Sequence, residues 1–93
     1  MKLPRAKTTV VFKSLSDGAL LFSTEDETYL GLNEVGSRVW QLLPPACQTL
    51  QEMVEQLGRT YPEVDADVIR TDVLELLNDL GKHGLLEPSH EPA

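Results

Sequence analysis

Apolar and polar positions alternate through the first third of the chain and then recur at helical spacing. Thr8-Thr9-Val10-Val11-Phe12-Lys13 is β-branched and aromatic, the composition of a strand. Ser16-Asp17-Gly18 reads as a turn, with Gly18 free to take positive φ. A second strand is expected over residues 19–24, a polar turn at Glu25-Asp26, and a third strand over 27–32. Three strands joined by short turns make an antiparallel meander. In the third strand, alternation sends Leu30 and Leu32 to one face, expected to be the core side, and Tyr29 and Gly31 to the other.

Beyond Leu32 the period changes. Asn33 is a candidate cap for a helix over 34–43, in which Val35, Val39, Leu42 and Leu43 share a face with Trp40 beside them. Pro44-Pro45 ends it, because the residue before a proline is pushed out of the α region. Thr49-Leu50-Gln51-Glu52 is a capping box opening a second helix, with Leu50, Met53, Val54 and Leu57 as its apolar face. Asp65 or Asp67 starts the third. Its core stripe is predicted as Ile69, Val73, Leu76 and Leu80, with Leu77 at the edge and Leu74 further round beside Arg70. Gly84 suits the position just past the helix end, and Leu85-Leu86 is expected to fold back on the core. Residues 1–6 read as a loose arm and 88–93 as a tail. A small three-stranded sheet cannot cover its own apolar face, so the βββααα order predicts one compact α+β domain. Helices two and three form a helix-turn-helix with the sheet as a wing.

Composition narrows the function. The chain has 93 residues, 15 acidic against 8 basic, for a net charge of −7. Such a chain is repelled by phosphate backbones and anionic lipid. The third helix, where a helix-turn-helix protein would read DNA, carries Asp65, Asp67, Asp72, Glu75 and Asp79 against Arg70 and Lys82. DNA binding would require the opposite sign. The one cysteine, Cys47, has no histidine near it in sequence. His83 and His90 are isolated, so no metal-ligand spacing and no nucleophile–base pattern appears. No phosphate-binding or dinucleotide fingerprint is present either. With no apolar run near 20 residues and no secretory h-region, the expected compartment is the cytoplasm.

The passage Tyr29-Leu30-Gly31-Leu32-Asn33-Glu34-Val35-Gly36, leading into Val39-Trp40-Gln41-Leu42-Leu43, resembles the pattern of the PqqD-like family. This is the family of coenzyme PQQ synthesis protein D and of the lasso-peptide B1-type leader-binding proteins, the precursor-peptide recognition elements of RiPP biosynthesis. The stretches 49–57, Tyr61-Pro62 and 68–86 are similar to its second half, so the resemblance spans roughly 8–87. It implies a winged helix-turn-helix-like fold that binds the leader of a ribosomally made precursor by strand addition along the third strand, next to the third helix. It also implies delivery of that leader to a modifying enzyme such as a radical SAM protein, a cyclase or a leader peptidase. No catalysis and no cofactor of its own would be involved, and the module would be free-standing, as a monomer or weak dimer.

The residues suit that role. Residues 27–32 hold no proline, so each keeps its backbone donor, and Gly31 permits close approach of another backbone. Tyr29 either packs half-buried or lines the peptide groove. The expected peptide-binding set is Thr28, Tyr29, Leu30 and Gly31 on the strand with Arg70, Val73, Leu74 and Leu77 on the third helix. Arg70 and Leu74, one turn apart, would be the wall opposite the strand. An interaction subunit that binds only a protein partner shares this fold and stands as the alternative.

Overall fold

A computed structural model describes residues 1–87. The tail expected over 88–93 lies outside the described residues. The order is β1 (Val10–Leu15), β2 (Gly18–Ser23), β3 (Thr28–Asn33), α1 (Glu34–Gln41), α2 (Leu50–Thr60) and α3 (Ala66–Lys82). The sheet is antiparallel with β2 in the middle. This is the α+β arrangement of three strands followed by three helices that the polar–apolar pattern implied.

Local chemistry explains the boundaries. β1 starts at Val10 and not at Thr8, because Thr8 and Thr9 form a turn in which the Val10 N–H donates to the Lys7 carbonyl (3.2 Å). Gly18 does not take positive φ; that conformation falls to Glu27 (φ 54) in the β2–β3 turn and to Gly84 (φ 69). Gly18 is needed for a different reason: a Cβ there would overlap the Leu32 carbonyl of the neighbouring strand. The Asn33 side chain accepts from the Gly36 N–H (2.8 Å), so α1 is capped by the last residue of β3. α1 ends at Gln41, two residues earlier than expected, and Leu43 stays buried in the turn before the prolines. Thr49 accepts from the Glu52 N–H (3.2 Å), and Glu52 returns to the Gln48 N–H (3.0 Å), a capping box displaced by one residue.

β2 sends Ala19, Leu21 and Ser23 inward, and β3 sends Leu32 with Leu30 half-buried beside it. Against them pack Val39 and Trp40 of α1, Met53, Val54 and Leu57 of α2, and Ile69, Val73, Leu77 and Leu80 of α3. α3 ends in a paired motif: Gly84 N–H donates to Gly81 O (3.1 Å) and Leu85 N–H to Leu80 O (3.0 Å), which turns the fully buried Leu85 back into the core.

Two expectations need correction. Residues 1–6 are not a loose arm. Leu3 is buried and its N–H donates to Gln48 O (2.9 Å), while Leu50 N–H donates to Met1 O (3.0 Å). Further along, Ala6 bridges Leu86, with Lys7 N–H to Leu85 O (3.1 Å) and Glu87 N–H to Arg5 O (2.7 Å). The arm straps the start of α2 to the chain leaving α3, and Pro4, which excludes helix, is compatible with this extended path. The second correction concerns α3. Leu77 is buried and Leu76 only half-buried, the reverse of the predicted stripe. Periodicity locates a helix's apolar face only to within one side chain. Here the core draws in the Leu77 flank and leaves Leu76 at its border with β3.

Candidate functional site

The hydrogen-bond alternation of the sheet decides which backbone groups are free. Thr24 N–H donates to the carbonyl of its cross-strand neighbour Thr9 (3.1 Å). With the register Val11↔Phe22, Lys13↔Leu20 and Leu15↔Gly18, even-numbered residues of β2 therefore turn their backbone groups to β1 and odd-numbered ones to β3. Ala19↔Leu32, Leu21↔Leu30 and Ser23↔Thr28 are then the bonded pairs on the other side. The N–H and C=O groups of Tyr29, Gly31 and Asn33 point away from the sheet. Among the described residues no strand or bridge pairs with that outer edge.

Alongside this edge lies a hollow of about 390 Å³. It is bounded by Gly31, Leu32 and Asn33 of β3, Val35, Gly36 and Val39 of α1, and Asp72, Glu75, Leu76 and Asp79 of α3. Helix α3 runs back along β3. Its middle faces residues 31–33, while a Cβ on Gly84 past its end would lie 3.8 Å from Asp26 Oδ2 in the β2–β3 turn. The result is a trough with a free strand edge on one side, a helix on the other, and an apolar floor of Leu32, Val35, Val39 and Leu76. A Cβ on Gly31 would meet nothing within 4 Å, so no internal contact demands glycine there. Its bareness leaves the strand accessible to a neighbour.

The structure distributes the expected peptide-binding residues unevenly. Gly31 borders the hollow, and Thr28, Tyr29 and Leu30 continue the same strand toward the turn. Tyr29 is 65% exposed, on the sheet face away from the helices, where its ring tilts against Phe22 with centroids 4.7 Å apart. Val73 and Leu77 are buried in the core. Arg70 and the 39%-exposed Leu74 lie on the flank of α3 beyond Leu77, across the helix from the hollow. The wall facing β3 is Asp72, Glu75, Leu76 and Asp79, which sequence reasoning did not select. The signal was present in the spacing: Asp72, Leu76 and Asp79 fall at i, i+4 and i+7 on one face. Nothing in the sequence says which flank of the core stripe meets β3.

The wall is negatively charged. Asp72, Glu75 and Asp79 are exposed, and the ion pair found among the described residues, Arg38 to Glu34 (3.7 Å), is elsewhere. Among the described residues no three His, Cys, Asp or Glu side chains converge to hold a metal ion. Cys47 is buried and far from a nucleophile's requirements: burial, and secondarily the Glu52 carboxylate, push its thiol above the ordinary range. No helix among the described residues is long and apolar enough to cross a membrane.

Comparison with known proteins agrees with this geometry. The family model for coenzyme PQQ synthesis protein D (PqqD) matches residues 18–86. No curated protein matches the chain. Among solved structures, TbiB1 in complex with the TbiA(beta) leader peptide is 30% identical, with a TM-score of 0.81, and the match covers 94% of this chain and 99% of that one. Lasso peptide synthetase B1 complexed with the leader peptide is 19% identical, with a TM-score of 0.76 over 90% of this chain and 96% of that one. The PqqD truncation of Methylobacterium extorquens PqqCD, described as a functional and stand-alone RiPP recognition element, is 24% identical. Its TM-score is 0.75 over 92% and 89% of the two chains. The last two, at lower identity, show the shared fold. The family model spans most of the chain, including both β3 and α3 of the trough, and the chain belongs to the PqqD family.

Proposed function

We propose that this protein binds the leader segment of a ribosomally synthesised precursor peptide as a fourth strand on the outer edge of β3 and presents it to a modifying enzyme or leader peptidase. The observation that carries this reading is the unpaired edge at Tyr29 and Gly31 opening beside the hollow under α3. The 30%-identical relative bound to a leader peptide supports it.

Simple magnitudes say what the guest must bring. A strand pairing with Tyr29 and Gly31 gains up to four backbone hydrogen bonds, each worth about 0.5–1.5 kcal/mol net. Ordering the guest's backbone costs about 1–2 kcal/mol per residue, so for a segment of some six residues the hydrogen bonds alone fall short. Burial must supply the difference, and one leucine-sized side chain seated on Leu32, Val35, Val39 and Leu76 contributes about 1.5–3 kcal/mol. Backbone pairing thus sets direction and register, and the hollow sets affinity.

In this reading the chain performs no chemistry. Catalysis belongs to the partner, a radical SAM protein, a cyclase or a peptidase. A cytoplasmic location goes with it, supported by the free, buried thiol of Cys47. The protein is a monomer or weak dimer, since the same open edge that takes a leader also pairs weakly with a second copy.

The test uses the N-terminal half of a short precursor encoded beside this gene. Its addition should slow amide exchange at Tyr29 and Gly31, while Leu30 and Leu32, already bonded to β2, change little. Binding of the adjacent enzyme without any binding of the leader would instead favour a purely protein-binding subunit.

A further inference from the structure

We infer that the trough selects by charge, taking extended peptides that place a Lys or Arg two positions from an apolar residue on the side facing α3. This deepens the leader-binding reading and rests on it. Leu76, on the apolar floor, is flanked along α3 by Asp72 and Glu75 on its N-terminal side and by Asp79 on its C-terminal side, all bordering the same hollow. By helical rise, Leu76 is about 6 Å from Asp72 and about 4.5 Å from Asp79 along the axis. A guest strand in the trough presents same-face side chains about every 6.7 Å. A residue two positions before or after the one seated on Leu76 therefore comes opposite a carboxylate.

The charges are uncompensated from within. Among the described residues none of the three makes an ion pair, and the basic side chains of α3, Arg70 and Lys82, do not border the hollow. An acidic guest would meet like charge in a partly enclosed trough, and a basic guest relieves the repulsion among the three carboxylates. An apolar pocket alone accepts any hydrophobic strand. The carboxylates add rejection of acidic ones, which serves specificity as much as attraction does.

The experiment uses three fluorescein-labelled 12-residue peptides that differ only at the α3-facing positions: Lys-x-Leu-x-Lys, Gln-x-Leu-x-Gln and Glu-x-Leu-x-Glu. At low salt the lysine peptide should bind about tenfold more tightly than the glutamine peptide, as expected for a few rim charge pairs. The glutamate peptide should bind more weakly still. Added salt should narrow the differences. The triple variant Asp72→Asn, Glu75→Gln, Asp79→Asn alters only exposed side chains and should bind all three peptides alike. Equal binding of the three by the unaltered protein overturns the charge selection and leaves the strand-addition reading standing. Discrimination that persists in the triple variant overturns the assignment to these carboxylates. Binding of none, with no slowed exchange at Tyr29 and Gly31, counts against the trough as a strand acceptor altogether.

Discussion

Replacing Gly31 by proline isolates the proposed recognition from the fold. The Gly31 N–H points away from β2, because its neighbours Leu30 and Leu32 carry the ladder to Leu21 and Ala19. Proline is tolerated at such an outward-facing edge position. Nothing lies within 4 Å of a Cβ built there, so a side-chain carbon at that position meets no internal obstacle. Any strand strain is offset by the lower entropy of the unfolded chain, and stability should change by about 1 kcal/mol or less. Binding should change far more. The variant loses one hydrogen bond to the guest, about 0.5–1.5 kcal/mol, and leaves a guest carbonyl facing the ring without a donor, a further ~1–3 kcal/mol. A total of roughly 2 kcal/mol or more is about a 30-fold weaker Kd. The matched control is Ser14→Pro on β1, the opposite edge. By the same alternation Ser14 turns its backbone outward, and its side chain is exposed. Anisotropy titrations with the labelled leader and thermal melts of both variants provide the measurement. A folded Gly31→Pro protein that binds as tightly as the parent would refute β3 as the acceptor. If Ser14→Pro alone loses binding, the guest docks on β1.

Three further outcomes follow from the geometry. Leu76→Gln should weaken leader binding severalfold, whereas Leu74→Glu, on the far flank of α3, should leave it unchanged; titration of both with the same leader checks which flank is the wall. Leu3→Ala should cost about 2 kcal/mol, since Leu3 is a buried core residue of the strap, and should lower Tm by roughly 10 °C in a chain this size. No such drop occurs if residues 1–6 hang free. Finally, Cys47 holds its proton more tightly in the folded than in the unfolded chain, so unfolding releases a proton at alkaline pH. Its stabilising contribution is complete below the unfolded thiol's ordinary pKa and is lost as pH rises through the higher folded value. Urea unfolding should show stability falling in that window, and Cys47→Ala should flatten the slope.

Much of the architecture could be read from one dimension because it is set by local forces. Alternation in 10–32, the Asn33 and Thr49 caps and the apolar spacing of the helices depend on residues close in sequence, and each element lies within a few residues of its expected place. Errors arose where a distant partner decided the outcome. Gly18 is glycine because of a carbonyl on β3, and the N-terminal arm is ordered by Gln48, Met1–Leu50 pairing and Leu85, contacts no local pattern announces.

The candidate site divides in the same way. That β3 keeps all its donors and carries a bare Gly31 was visible in the order of residues alone, because proline and side-chain content are properties of the segment itself. Which flank of α3 stands across from that edge is a property of how the helix is rolled against the sheet. That roll is fixed by the summed burial of the whole core, which takes in Leu77 and leaves Leu76, Asp72 and Asp79 facing the strand. Helical periodicity gives the same apolar arc for neighbouring rolls, so only the packed tertiary structure could turn a stripe of acidic residues into the wall of a trough.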